Sequence, residues 1–312
     1  MDSEADFTAQ AETHRHELRV HCYRLLGSFD EAEDLVQETL LKAWRRRETF
    51  EGRAPLRAWL YRIATNTCLD ALDKRPAVPV DVPAQVQPYP DRLLPPEDQP
   101  DAVVVSRETV ALAFVVAVQH LSPRQRAVVI LRDVLGWPAR DTAELLGTTV
   151  TAVNSMLQRA RPVLREHLPT ARPAAGEERA LVARYMEAIA ASDDRALAAL
   201  LREDVRVSQA PGAGGNAASG FGFYSGRATA LAAWAPALHG DGALDWRFRS
   251  VRANRQQAFG GYVRRRGTNG PFEAFGLTVL GFEDGQVAEV TVFGNDRLPA
   301  FGLPTHVLDT PA

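Results

Sequence analysis

The stretch from Leu121 to Leu168, LSPRQRAVVILRDVLGWPARDTAELLGTTVTAVNSMLQRARPVLREHL, most constrains what this chain can fold into. Pro138 opens a short helix that runs to about Leu146, because the fixed φ of proline suits a first helical turn. Gly147 supplies a break at positive φ, and Thr148 or Thr149 can cap a second helix. That helix starts near Val150 and runs beyond Arg161. Val153, Leu157, Ala160 and Leu164 recur at spacings of three and four and predict a buried face. Another face carries Thr151, Asn154, Ser155, Gln158, Arg159 and Arg161. Two short helices, a tight glycine turn and a cationic, hydrogen-bonding second helix make a helix-turn-helix, whose second helix enters the major groove. Asn and Gln suit adenine edges, Arg suits guanine, and Thr or Ser suit phosphates or bases.

At 312 residues the chain is long enough for two or three domains. Its net charge of −3 means that any nucleic-acid-binding surface must be local. Cys22 and Cys68 are far apart and form no CxxC, which argues against a disulfide framework or zinc ribbon and suits a reducing, cytoplasmic setting. His14, His16, His21 and Cys22 cluster without a standard ligand spacing, so no metal and no cofactor is expected. The acidic start is no signal peptide, and no apolar run approaches the ~20 residues that span a membrane.

Residues 8–75 form a first domain, which reads as helical from about Thr8 to Lys74. Leu18, Cys22, Leu25 and Leu26 form one stripe. Asp30 is expected as an N-cap with Glu33 as its capping-box partner. Leu35, Val36, Leu40, Ala43 and Trp44 then form an apolar face. Pro55 opens a further helix with Leu56, Trp59, Leu60, Ile63, Ala64 and Leu69 in register. Eight prolines between 76 and 100, with Asp81, Asp91, Glu97 and Asp98, make residues 76–105 an extended acidic linker. A strongly apolar helix, Val110–Leu121, leads into the helix-turn-helix domain at 106–169.

PTARPAAGE is a second linker. A third domain at 177–303 begins with helices Glu177–Ala191 and Arg195–Leu201, the latter capped by Asp193 or Asp194. A strand comes next in Glu203–Ser208, then a Gly- and Ala-rich loop, then a helix over Tyr224–Trp234. Four strand-like runs end it: Ala243–Val251, Gln257–Arg265, Phe272–Glu283 and Gln286–Asn295, the last two joined by Asp284-Gly285. The expectation is an α+β cone with a curved antiparallel sheet.

FDEAEDLVQETLLKAWRRRETFEGRAPLRAWLYRIATNTCLDALDKR closely resembles region 2 of the bacterial extracytoplasmic-function (ECF) sigma factors. LSPRQRAVVILRDVLGWPARDTAELLGTTVTAVNSMLQRARPVL resembles their region 4, with Pro138 where many members have Ser and Thr142 where many have Ile. AVNSMLQRAR and YPDRLL resemble members with a C-terminal extension, and EDVRV…FYSGR resembles the SnoaL-like branch of the NTF2 fold. The resemblance implies a multidomain chain: two all-α sigma domains, a region 2 helical bundle and a region 4 helix-turn-helix, followed by an α+β NTF2-like cone. It implies core RNA polymerase as partner, through the β′ clamp helices and the β flap, and promoter DNA.

Carried onto this sequence, Asp34, Leu35, Gln37 and Glu38 would bind core polymerase. Arg53, Trp59, Arg62, Asn66 and Asp70 would meet the −10 element. Arg57, Lys74 and Arg75 would add charge for phosphates, and Trp59 and Tyr61 rings for unstacked bases. Thr149, Thr151, Asn154, Ser155, Gln158, Arg159 and Arg161 would read the −35 element. Tyr89, Asp91 and Arg92 of the linker would contact the C-terminal domain, which would modulate activity in cis. No membrane partner and no catalysis are expected.

An alternative is a DNA-binding regulator fused to a small-molecule-binding or isomerase- or cyclase-like cone. Asp204, Asp245 and Glu273 would then be the carboxylates, and Tyr185, Tyr224 and Tyr262 the donors. The region 2 phrase argues against a plain repressor, which needs no polymerase-clamp surface.

Overall fold

The computed structural model describes residues 2–52, 55–75, 85–94, 107–168, 173–214 and 220–308. Arg53, most of the acidic linker and part of the glycine-rich loop lie outside them. The chain divides into two compact units. The first contains Met1–Asp81, Val86–Tyr89 and Leu93–Leu168, and the second Val82–Gln85, Pro90–Arg92 and Pro169–Ala312.

The first unit is helical. It begins with α1 (Asp2–Thr13), α2 (Arg15–Leu26), α3 (Phe29–Arg45) and α4 (Leu56–Asp73). From Glu17 to Leu26 every residue of α2 is buried, so its charges need internal partners. Glu17 accepts from Arg57 Nε at 2.7 Å and from the Tyr61 hydroxyl at 3.1 Å. Arg24 donates to the Thr109 carbonyl and hydroxyl at 3.0 and 2.6 Å. Gly27 (φ 69°) closes α2 in the left-handed region. Ser28, not Asp30, then caps α3, its side chain accepting from the Glu31 N–H, and Asp30 lies in the first turn. Gly27 ends one helix so close to the next that the cap falls two residues earlier than the acidic run suggests.

The apolar helix expected over Val110–Leu121 is broken at Ala111 into α5 (Arg107–Val110) and α6 (Leu112–Gln119). Next comes α7 (Pro123–Val129), closed at its start by a reciprocal Ser122–Gln125 capping box. A π turn over Ile130–Val134 precedes α8 (Ala139–Leu145) and α9 (Val150–His167). Arg126 of α7 is 5% exposed and donates to the carbonyls of Val118, Leu121, Gln119 and Leu25. It thereby ties α7 to the end of α2, and burial pushes its pKa down to about 10.

The second unit starts with α10 (Ala175–Ala190) and α11 (Asp194–Leu200), the latter capped by Asp193. Then come β1 (Leu201–Gln209), β2 (Gly222–Ser225), α12 (Arg227–Leu238), β3 (Leu244–Ala253), β4 (Gln256–Arg265), β5 (Phe272–Glu283), β6 (Gln286–Phe293) and β7 (His306–Val307). The sheet runs β2-β1-β6-β5-β4-β3, with β7 on β5. Leu181, Val182, Tyr185 and Ile189 of α10 pack on Val205, Val207, Phe259, Leu280 and Val290.

Two expectations fail here. Tyr224 lies in β2, not in a helix; Gly226 (φ 92°) breaks the run and the helix starts at Arg227. The sheet is not wholly antiparallel, because β1 pairs with β6 in parallel. Those two strands are distant in sequence, and the long crossover between them permits that direction. Asp284 (φ 51°) and Gly285 (φ 73°) make the β5–β6 hairpin turn with both central residues left-handed, as Asp-Gly prefers.

Candidate nucleic-acid interface

Three helical faces of the first unit gather the residues singled out in the sequence. On α9, the Thr149 hydroxyl accepts from the Ala152 N–H at 3.1 Å and sets the helix start. Val153, Leu157, Ala160 and Leu164 are buried. That spine turns Thr149, Thr151, Asn154, Gln158 and Arg159 outward as exposed residues, with Ser155 half-buried beside them. Arg161 is exposed but engaged: its Nε and Nη2 donate to Asp133 at 3.1 and 2.9 Å, and Asp133 raises its pKa.

On α4, Arg62, Asn66 and Asp70 are exposed and four residues apart, so they line one stripe. Their neighbours are committed to the fold. Trp59 is half-buried between Phe7 and Phe50, with centroids 6.2 and 5.3 Å away. Tyr61 is 1% exposed, its ring against His21 (4.8 Å) and Trp137 (6.1 Å), and burial pushes its hydroxyl pKa well up. Tyr61 therefore offers no platform to an unstacked base, which corrects the sequence reading. Arg57 and Arg75 are likewise paired, with Glu17 and Glu31. A buried carboxylate such as Glu17 demands a counter-charge, and that demand is invisible in the helical periodicity.

Arg62 Nη2 lies 2.7 Å from Glu144 of α8. Both ends are solvated, so the pair is weak, though Arg62 still lowers the Glu144 pKa. Beside it is a cleft of about 930 Å³ between α4 and α8, lined among others by Arg57, Trp59, Arg62, Trp137, Asp141 and Glu144.

On α3, Asp34, Gln37 and Glu38 are exposed and Leu35 is half-buried. Leu41 (56% exposed) and Trp44 (43%) continue the same face, with the Arg47 guanidinium 4.3 Å from the Trp44 ring. Sequence reasoning placed Trp44 on the inner face and did not single out Leu41. The Leu40-Leu41 doublet was the available signal, since adjacent helical residues point about 100° apart and on a helix with one buried face the second of them turns toward its edge.

The three histidines near the start point to separate partners: His14 to Glu17, His16 to Arg19 and His21 to Thr65. Thr65 donates to the Tyr61 carbonyl, so its oxygen accepts from His21 Nε2–H, leaving Nδ1 unprotonated. Burial holds the His21 pKa down at about 3.

The linker core divides between the units. Tyr89 is buried in the first, its ring against Tyr23 (5.0 Å) and Phe29 (5.3 Å) and its hydroxyl accepting from Arg19 Nε at 2.8 Å. Pro90, Asp91 and Arg92 belong to the second. Pro90 bridges to Ala253, and Arg92 Nε donates to the Ala300 carbonyl at 2.9 Å. Asp91 accepts from Arg252 Nε at 3.0 Å and from the Arg255 N–H at 2.7 Å. Asn254 (φ 55°) and Arg255 (φ 58°) form the β3–β4 turn, a left-handed pair that lacks the usual glycine. Asp91 satisfies the N–H this turn presents, and burial raises the Asp91 pKa.

Two of the three carboxylates named for a catalytic cone are paired with arginines. Asp204 pairs with Arg202, and Asp245 lies 3.7 and 3.4 Å from Arg264 and Arg266. Glu273 is exposed. No helix among the described residues is long and apolar enough to cross a membrane.

Residues 11–76 match the family model for sigma-70 region 2, residues 111–162 that for sigma-70 region 4, and residues 182–290 that for the SnoaL-like domain. The chain is 40% identical to the ECF RNA polymerase sigma factor SigG of Mycobacterium tuberculosis, over 96% of this chain and 84% of that one. It is 32% identical to SigJ of the same organism, over 63% of this chain and 62% of that one. The crystal structure of SigJ superposes with a TM-score of 0.64 at 25% identity, covering 96% of this chain and 99% of that one. With both sigma regions matched and a relative aligned over nearly its full length, the chain belongs to the ECF sigma factors, in a form that carries a SnoaL-like C-terminal domain.

Proposed function

We propose that this sigma factor docks on core RNA polymerase through the exposed α3 face and directs initiation by reading −10 and −35 promoter elements. Asp34, Leu35, Gln37 and Glu38, extended by Leu41 and Trp44, form the surface for the β′ clamp helices. Arg62, Asn66 and Asp70 of α4, with the free edge of Trp59, meet the −10 strand; Arg53 would add to that contact. Thr149, Thr151, Asn154, Ser155, Gln158 and Arg159 of α9 read the −35 element, and region 4 docks on the β flap. The observation that carries this reading is the α9 spine, which leaves hydrogen-bonding side chains open along one helix face.

The first unit must open for this work. The two promoter elements are centred about 25 base pairs apart, roughly 85 Å at the ~3.4 Å rise of DNA. In the structure Arg62 of the −10 face touches the support helix of the −35 reader. The solvated Arg62–Glu144 pair is a contact that polymerase can displace at small cost. The C-terminal domain would modulate the sigma regions in cis through the linker, a reading supported by the contacts of Asp91 and Arg92 with β3–β4 and Ala300.

Titration of Asp34→Arg against core polymerase tests the docking face. Weakened binding with an unchanged melting curve is expected, and equal affinity removes Asp34 from the interface.

A further inference from the structure

Pro162 lies inside α9, one residue beyond Arg161. It has no N–H for the Gln158 carbonyl and its ring crowds that carbonyl, so the helical ladder is weakest there. The residue before a proline is also drawn away from helical backbone, and that residue is Arg161. The recognition segment, residues 150–161, is therefore fixed at its start by the Thr149 cap and loosened at its end. Its inner face gives limited help, because Val153, Leu157, Ala160 and Leu164 pack through contacts that have no direction.

Asp133 supplies the direction. It sits in the π turn, whose backbone is held by the Leu135 N–H on the Ile130 carbonyl at 2.9 Å and the Trp137 N–H on the Leu131 carbonyl at 2.8 Å. Arg132 of the same turn donates to the Trp137 carbonyl. From this anchor the two Asp133 oxygens accept from Arg161 Nε and Nη2, at 3.1 and 2.9 Å. A two-point pair fixes the plane of the guanidinium as well as its distance. Both groups are solvated, so the pair contributes little to stability. We infer that Asp133 and Arg161 are a positioning pair for −35 readout. They pin the end of the recognition segment at the Pro162 break, and so set how Asn154, Gln158 and Arg159 meet base edges. A binding constellation must be held to within about 0.5 Å, which makes the end of that segment worth fixing. The inference rests on the reading that α9 meets the −35 element, and it gives Arg161 a role through Asp133 in place of a base or phosphate contact.

The test uses holoenzyme and a promoter duplex recovered by transcription in vitro, with its −35 element intact or scrambled. Asp133→Ala and Arg161→Ala are each expected to weaken binding to the intact element about five- to tenfold, and the double variant no further. Binding to the scrambled duplex, and the slope of log affinity against log salt, should stay as in the wild type. The swap D133R/R161D should restore most of the loss, a rescue that misfolding could not give. Pro162→Ala, which returns the missing N–H, should shrink the effect of Arg161→Ala to about twofold or less. Tighter binding by Asp133→Ala overturns the inference, because it would mean that Arg161 is freed for the DNA. A salt slope lowered by about 0.9 in Arg161→Ala also overturns it, and makes Arg161 a phosphate contact. So do losses under about twofold in both single variants, additive losses in the double variant, or an undiminished loss in the Pro162→Ala background. Failure of the underlying −35 reading would show separately, as wild-type holoenzyme that binds the intact and scrambled duplexes equally.

Discussion

The recognition face of α9 and the exposed stripe of α4 look alike in sequence, but the structure treats them differently. On α9 the inner spine is wholly apolar, so the polar face is left open to the solvent apart from Arg161. On α4 the inner side meets α2, a buried helix with charges of its own. Glu17 claims Arg57 and the Tyr61 hydroxyl, Glu31 claims Arg75, and Glu144 holds Arg62. The lesson is that periodicity locates a face, whereas the charge content of the neighbouring helix decides which polar residues on it remain available.

The largest effect that would sharpen this contrast is on stability. Tyr61→Ala should cost about 3–5 kcal/mol, because it empties a buried aromatic site and strips a hydrogen bond from Glu17. Urea unfolding measures it; a change under about 0.5 kcal/mol would return Tyr61 to the list of surface residues. Next comes pH. His21 titrates near 6.5 when unfolded and at about 3 in the fold, so the unfolded chain binds the extra proton between those values. Stability from this group is complete above about pH 6.5 and falls by about 1.4 kcal/mol per pH unit on acidification toward 3. Denaturation curves for the wild type and His21→Asn across that window should diverge in slope; parallel curves would refute the buried neutral imidazole.

Arg159→Ala should leave stability within about 0.5 kcal/mol and cost about 1–3 kcal/mol of −35 binding, with relaxed preference at one base. Uniform loss across −35 variants, with a shallower salt slope, would make it a phosphate contact instead. The smallest effect belongs to Glu144→Gln, which removes the partner of Arg62. It should bring a small gain in open-complex formation by holoenzyme and leave −35 preference unchanged. A loss would mean that Glu144 supports α8 and does not restrain α4.

Much of the fold was legible because local rules and burial agreed. The buried spine of α9, the Thr149 cap, the stripe Leu18-Cys22-Leu25-Leu26 and the Asp284-Gly285 turn all come from spacing and turn chemistry. What escaped depended on distant partners. The two-residue β7 exists only as an addition to β5, and β1–β6 pairing joins strands separated by most of the domain. Ser28 became the cap of α3 because Gly27 turned the chain first. Trp44 looked like core, and its exposure depends on how α3 rolls against α2 and α4. At the candidate site, the residue types on α9 and α3 were readable, while the commitment of Tyr61 and Arg57 required Glu17, more than forty positions upstream of Tyr61.

The most direct test of the account is transcription in vitro with core polymerase and the full-length protein on a genomic DNA library, with the transcripts sequenced. The account predicts start sites that share one −10 and one −35 element and that vanish with Asp34→Arg. Start sites with no common upstream elements, or output independent of the added protein, would contradict it.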